Sequence, residues 1–252
     1  MGAQLKSWRE RRRLTQLGLS SAAGVSTRHL SFIETGRSNP SKDMIIHLSE
    51  CLEVPLRQRN TLLLAGGHAP AYSESALAET PMSAVSDAIN RIVDAHDPFP
   101  AVVVDRQWDL LVGNRAVSIL TEGAASFLLE PPVNVLRLSL HPEGMAPRIV
   151  NLAQWRNHVV ARLRREVEVT ADAQLGALLE ELLAYPSGGE WREDESSLLV
   201  PLRIRAGETE LAMFSTTTVF GTPRDVTLAE IAIECFYPSD RETAEFFRAK
   251  SE

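Results

Sequence analysis

The feature that most constrains this chain is the punctuation of its first 65 residues. Capping hydroxyls and glycines alternate there at short intervals. Leu5, Trp8 and Arg12 keep a helical period. Thr15 is a good N-cap, and Gln16–Ala23 follows as a helix. Gly24 stops it, because glycine takes positive φ at low cost. Ser26 caps a third helix, Thr27–Glu34, which Gly36 ends. Asn39-Pro40-Ser41 resets the chain for a fourth helix through Cys51, and Pro55 opens a fifth that ends near Ala65-Gly66-Gly67. The expected fold of this segment is all-α.

Two helices joined by a tight glycine-containing turn are the mark of a helix-turn-helix. In that geometry the first helix crosses the phosphate backbone, and the second sets its N-terminal residues against base edges in the major groove. Leu19, Ala23, Val25, Leu30 and Ile33 are spaced to hold the pair together, which leaves Thr27, Arg28, Ser31 and Phe32 facing outward. Arg28 can fork onto guanine, and a threonine methyl or phenyl ring can meet a thymine methyl. Gln16 and Ser26 stand at helix starts suited to phosphate. Arg37 and Asn39, beyond the second helix, complete the candidate DNA-facing set. The plainer alternatives are a solvated Arg28 and a Phe32 half-packed on its own domain.

Charge supports the division. Met1–Pro70 carries +5 and the remainder −12 within a total of −7. A small basic unit on an acidic body suggests that the first segment alone meets a polyanion, with chance clustering of solvated charge as the alternative.

The runs Leu14-Thr15-Gln16, Ala23-Gly24-Val25-Ser26 and Ile33-Glu34-Thr35-Gly36-Arg37 resemble the Cro/repressor-type (Xre family) helix-turn-helix. The match departs from the family at Leu17 and Gly18, where polar helix formers are usual. Gly18 should weaken its helix by up to about 1 kcal/mol relative to alanine.

From His68 to Pro81 no period is evident, and the stretch reads as a linker or a loosely docked segment. The expected organisation is a DNA-binding domain over 1–66, a linker over 67–81 and a second domain over 82–252. In the second domain Ser83–Val93 is expected to be helical, with Val85, Ile89 and Ile92 on one face. Ala101–Asp105 is expected as a strand, and Trp108–Val112 as the next, with Trp108, Leu110 and Val112 alternating onto one face. Gly113–Ala116 is expected to open a helix. Asn151–Glu168 is amphipathic, with Leu152, Trp155, Val159, Leu163 and Val167 together. A further helix covers Leu175–Leu183. Ser197–Arg205 and Glu210–Phe220 should form a hairpin, Glu230–Tyr237 a last strand, and a short helix should close the chain. This pattern is an α+β domain with an antiparallel sheet.

Pro100-Ala101-Val102, Asp105-Arg106-Gln107-Trp108-Asp109, Asn114-Arg115-Ala116 and Asn134-Val135-Leu136-Arg137 resemble the MmyB-like ligand-binding domain found behind Xre-type units, over roughly Met82 to Phe247. The resemblance implies a PAS-like fold, whose sheet and flanking helices enclose a pocket for an apolar, fatty-acid-like molecule. Such a pocket needs large apolar walls and a few polar anchors. Trp108, Leu136, Trp155, Val159 and Leu163 are the candidate walls. Asn114 and Arg137 are the candidate anchors, since an arginine can fork onto a carboxylate. Core packing for the Trp155 stripe, a helix cap for Asn114 and an exposed Arg137 are the alternatives.

No enzyme is expected. The chain has no GxSxG, Walker loop, HExxH or dinucleotide fingerprint, and no cofactor is implied. Glu180-Glu181 and Glu193-Asp194-Glu195 are acidic clusters without matched histidines, and a solvated face is the default for them. The longest apolar runs are four residues, such as Ala101–Val104, against about 20 for a membrane span. Cys51 and Cys235 are too few for a disulfide framework, and a cytoplasmic location is expected. The expected function is a ligand-responsive transcription regulator. Its partners are double-stranded operator DNA and a small apolar ligand, and it is expected to be a homodimer reading half-sites about 34 Å apart. A thiol switch at Cys51 or Cys235, or a protein partner for the second domain, are the competing functions.

Overall fold

The computed structural model describes residues 1–77, 79–189 and 199–251. They form two compact units, one of Met1–Ser75 with Thr222–Ala229 and one of Ala76–Gly221 with Glu230–Glu252. The acidic run Glu193-Asp194-Glu195 and the expected strand start at Ser197 lie outside the described residues.

The first unit opens with α1 (Gly2–Arg11), α2 (Gln16–Ala22), α3 (Thr27–Glu34), α4 (Lys42–Cys51) and α5 (Leu56–Ala65). The three hydroxyl caps form: Thr15 accepts from the Gly18 amide, Ser26 from His29 and Ser41 from Met44. Gly24 turns the chain between α2 and α3 at φ +63°. Leu5, Trp8, Leu19, Leu30, Ile33, Ile45, Leu48 and Leu62 meet in one core.

The stretch expected to be a linker is docked up to Ser75. Asn60 on α5 accepts from the amides of Ala71 and Tyr72 and donates to the Tyr72 carbonyl at 2.8 Å. Arg59 lies over the Tyr72 ring, and Arg57 pairs with Glu74 at 2.6 Å. Polar partners, not hydrophobic period, hold this stretch, so a search for periodicity passes over it.

The second unit begins with α6 (Ser83–Ala95), β1 (Ala101–Val104) and β2 (Leu110–Gly113). Then come α7 (Val117–Thr121), α8 (Val135–Leu140), α9 (Leu152–Thr170) and α10 (Ala173–Ala184). The hairpin β3 (Leu202–Ala206) and β4 (Thr209–Val219) follows. After α11 (Val226–Ala229), which folds with the first unit, β5 (Ala232–Pro238) and α12 (Arg241–Ser251) complete the chain. The described strands form an antiparallel sheet in the order β2-β1-β5-β4-β3.

All four residues of β1 are buried because the strand is covered on both faces. Ala101 and Val103 pack with Ile89 and Val93 of α6, and Val102 and Val104 pack towards the main core. A two-sided strand reads as an unbroken apolar run. Two expectations are corrected here. Ile92 is 41% exposed, and Val93 takes its place on the buried face of α6. Trp108 is not a strand residue: its φ is +66°, and the Asp105 carboxylate gathers the amides of Gln107 and Asp109 into a loop around it.

Candidate functional site

In the first unit the helix-turn-helix pair presents a compact cationic edge. The Phe32 ring on α3 is half-buried, and two exposed guanidinium groups bracket it, Arg28 at 5.3 Å from its centroid and Arg37 at 6.0 Å. The ring is thus a platform for both arginines. Asn39 is exposed beside this edge in sequence, and Ser31 is half-buried.

The other candidate DNA-facing residues have internal partners. Ser26 accepts from the His29 amide, and the Thr27 hydroxyl meets Ser20 on α2 at 3.0 Å. Gln16 donates to Glu34 at 2.8 Å. Glu34 also holds Arg9 through two hydrogen bonds, at 2.7 and 3.0 Å. Burial would raise the Glu34 carboxyl, but donation from Arg9 and Gln16 holds it below the ordinary carboxylate range.

The second unit encloses a largely apolar cavity of about 90 Å³ between the sheet and α7–α9. Of the candidate pocket residues, Trp108, Leu136, Trp155 and Val159 line it. Leu163 is fully buried in the adjoining core but is not part of the cavity lining.

The two candidate anchors are placed elsewhere, a correction with a clear cause in each case. Asn114 is buried and spent on backbone: its carbonyl accepts from the Ala101 amide, and its amide donates to the carbonyls of Phe99 and Val93. It staples β2 to the start of β1 and does not cap α7 with its side chain. Arg137 forks onto Glu181 of α10 at 2.6 and 2.7 Å, and Tyr185 donates to the same carboxylate. This pairing also removes Glu181 from the acidic face expected to be solvated, and it holds the Glu181 carboxyl below its ordinary range.

The charged groups that do line the cavity come from α9 and the central strands. Arg162 donates to Glu234 of β5 at 2.6 Å and to the Thr217 hydroxyl of β4 at 3.0 Å. Thr217 in turn donates to Glu234 at 2.8 Å. The Arg162 guanidinium lies 4.4 Å from the centroid of the Trp108 ring, and its Nε is 3.5 Å from Glu166. Trp108 Nε1 donates to Glu166 at 2.7 Å, so the tryptophan is fixed on face and edge. Burial raises the Glu166 carboxyl against these donors.

His158 stacks on Trp155 at 5.5 Å. Burial, with Arg162 and Arg165 nearby, lowers its pKa and so favours the uncharged ring. Ser139 of α8 accepts from Trp155 Nε1 at 2.9 Å, and Thr121 of α7 and Ser215 of β4 also line the cavity. Sequence spacing carried part of this information. Trp155, His158, Val159 and Arg162 follow an i, i+3, i+4, i+7 pattern, so a helix that brings one to the cavity brings all four. Glu234 carried no such signal, because its buried side chain depends on pairing across the sheet.

Among the described residues no group of three or more His, Cys, Asp or Glu side chains could hold a metal, and no helix is long and apolar enough to cross a membrane. Comparison with protein families matches residues 85–249 to the MmyB-like transcription regulator ligand binding domain and residues 5–58 to a helix-turn-helix domain. Both are regulatory, non-catalytic modules. No match was found among curated proteins.

Proposed function

We propose that this chain, which belongs to the MmyB-like transcription regulator family, binds operator DNA through its helix-turn-helix and adjusts that binding to a small apolar, fatty-acid-like molecule in the second unit. The observation that carries the coupling is the membership of residues 222–229. They join β4 to β5, whose Ser215, Glu234 and Phe236 line the cavity, yet they fold with the helical unit. A ligand that shifts either strand acts on a segment anchored in the DNA-binding unit. It alters DNA affinity only insofar as it binds one arrangement better than the other.

Arg28 is the proposed base reader, with Arg37, Asn39 and Phe32 beside it, and Ser31 at its edge. Gln16, Ser26 and Thr27 set the register of α2 and α3 against the phosphates, partly through the internal bonds that fix them. Trp108, Leu136, Trp155 and Val159 are the proposed ligand walls. A homodimer on two half-sites supplies the affinity that one short helix lacks. The cytoplasm is its proposed location, where the unpaired Cys51 and Cys235 stay reduced.

At about 90 Å³ the cavity is below the roughly 300–1,000 Å³ of drug-sized sites. A chain-like ligand therefore has to part α7–α9 from the sheet on entry, which is the differential binding that linkage requires. The test is genome-wide mapping of bound DNA combined with native mass spectrometry of the purified protein. Specific duplex sites and a co-purifying or accepted apolar molecule are the expected result. No preference for any duplex over heparin at low ionic strength would overturn the DNA assignment. Failure of every apolar molecule to bind or to shift thermal unfolding would overturn the ligand assignment.

A further inference from the structure

We propose that the polar head of the ligand is uncharged, an alcohol, amide or carbonyl, and that this cavity discriminates against a carboxylate head. The inference rests on the apolar-ligand function proposed above and narrows it: the molecule shares the apolar chain of a fatty acid but not its carboxylate head.

The polar side of the cavity has one cation, and it is already committed. Arg162 is tied to Glu234 at 2.6 Å and faces Glu166 at 3.5 Å. Glu234 is only 4% exposed, so its carboxylate cannot move out to water to make room. A ligand carboxylate reaching Arg162 would be a further acid around a single guanidinium. It would also be stripped of water in a largely apolar cavity, where like charges interact strongly.

Neutral groups, by contrast, are available. The Ser215 hydroxyl and the His158 ring line the cavity, and neither side chain is hydrogen-bonded to another described residue. Ser139 accepts from Trp155, which leaves its own proton to donate. A neutral imidazole has one donor and one acceptor nitrogen, so together these three groups can serve a head that both donates and accepts. The site is therefore built for hydrogen bonding without net charge transfer. A polar site of this kind rejects analogues that leave its groups unpaired.

The test is calorimetric titration of the full chain with octan-1-ol, octanoate and octylamine near neutral pH. These share one apolar chain and differ only in the head. Octan-1-ol is expected to bind at least about tenfold more tightly than either ion. Glu234→Gln, which frees Arg162 for a ligand acid, is expected to raise the affinity for octanoate relative to octan-1-ol by about tenfold. Should that variant unfold, Ser215→Ala keeps the test open: it is expected to weaken octan-1-ol several-fold more than octanoate. Octanoate or octylamine binding as tightly as the alcohol in the unaltered protein would overturn the inference, as would an octanoate affinity, relative to octan-1-ol, indifferent to Glu234→Gln. Absence of binding by all three would instead overturn the apolar-ligand function itself, and this inference with it.

Discussion

Arg9 and Glu34 meet inside the helical unit as a two-pronged pair, with Nε at 2.7 Å and Nη2 at 3.0 Å from the two carboxylate oxygens. Both side chains are buried, and they tie α1 to the end of α3. Removing one member strands the other, which typically costs about 3–5 kcal/mol. Arg9→Met is therefore expected to lower the unfolding midpoint of the helical unit far more than a surface substitution such as Lys6→Ala. The pair is also acid-sensitive. The Glu34 carboxyl is depressed in the folded state, so its contribution is full above the unfolded value of about 4.3 and is lost as pH falls through the lower folded value. Calorimetry at decreasing pH should show the Arg9→Met deficit shrinking in acid. A deficit independent of pH would contradict the assignment.

Gly18 offers the opposite change. An added Cβ would lie 3.4 Å from the Thr15 hydroxyl and 3.7 Å from Leu14, which is ordinary contact, and the helical backbone there needs no glycine. Gly18→Ala is expected to stabilise the helical unit by about 0.5–1 kcal/mol through helix propensity. Chemical denaturation compared with the unaltered chain measures it, and a loss of stability would mean that the position is constrained by something other than space.

Arg28 and Arg37 bracket Phe32, so the three should act together in DNA binding. Arg28→Ala is expected to cost about 1–3 kcal/mol of affinity for the selected operator, with a smaller loss on random DNA. Phe32→Ala should weaken binding through both arginines, by removing the platform on which they stack. Gel shifts over a series of salt concentrations separate the effects. An arginine contacting phosphate alone would flatten the salt dependence by about one ion and leave discrimination intact.

The thiols give a direct check on the competing redox function. Cys235 is buried on the α6 side of the sheet, and burial with the Glu234 charge raises its thiol above the ordinary range. Cys51 is half-buried at the end of α4. Alkylation of the native protein is expected to label Cys51 well before Cys235, and Cys235→Ser should leave ligand-dependent DNA binding intact under mild peroxide. Loss of the peroxide response in that variant alone would revive a thiol switch.

Local chemistry made the helical unit legible. Thr15, Ser26 and Ser41 cap as their positions suggest, and Gly24 turns as a glycine should. The cavity was legible only where periodicity reached it, through Trp155 and Val159 on α9. Asn114 and Arg137 are the expected anchors because such a pocket needs a few polar groups and an arginine can fork onto a carboxylate. They are instead consumed by Ala101, Phe99 and Glu181, at sequence separations of 13 to 44 residues that no local pattern encodes. Trp108 departs from the expected strand for a related reason. A left-handed backbone at a bulky residue runs against propensity, and it is held there by Arg162 and Glu166 from a distant helix.

The coupling route yields the last prediction. Asp225 anchors the segment between β4 and β5 within the helical unit. Its carboxylate accepts from the amides of Ser75 at 3.2 Å and Thr227 at 2.9 Å, and the neighbouring Val226 amide donates to the Ser73 carbonyl at 2.8 Å. Asp225→Ala removes the side-chain bonds and leaves both the cavity lining and the Arg28 edge untouched. A lost cap of this kind costs about 0.5–2 kcal/mol locally. DNA affinity without ligand, and ligand affinity without DNA, should each stay within a few-fold of the unaltered protein. What should fall is the ratio of DNA affinities measured with and without ligand, because strand movement in the cavity wall no longer pulls on an anchored segment. That ratio is the coupling itself, and by reciprocity the DNA-induced change in ligand affinity must fall by the same factor. Gel shifts and calorimetry performed on the same preparations measure both sides of the cycle. A ratio unchanged by Asp225→Ala would show that the ligand signal reaches the helix-turn-helix by some path other than the β4–β5 connection.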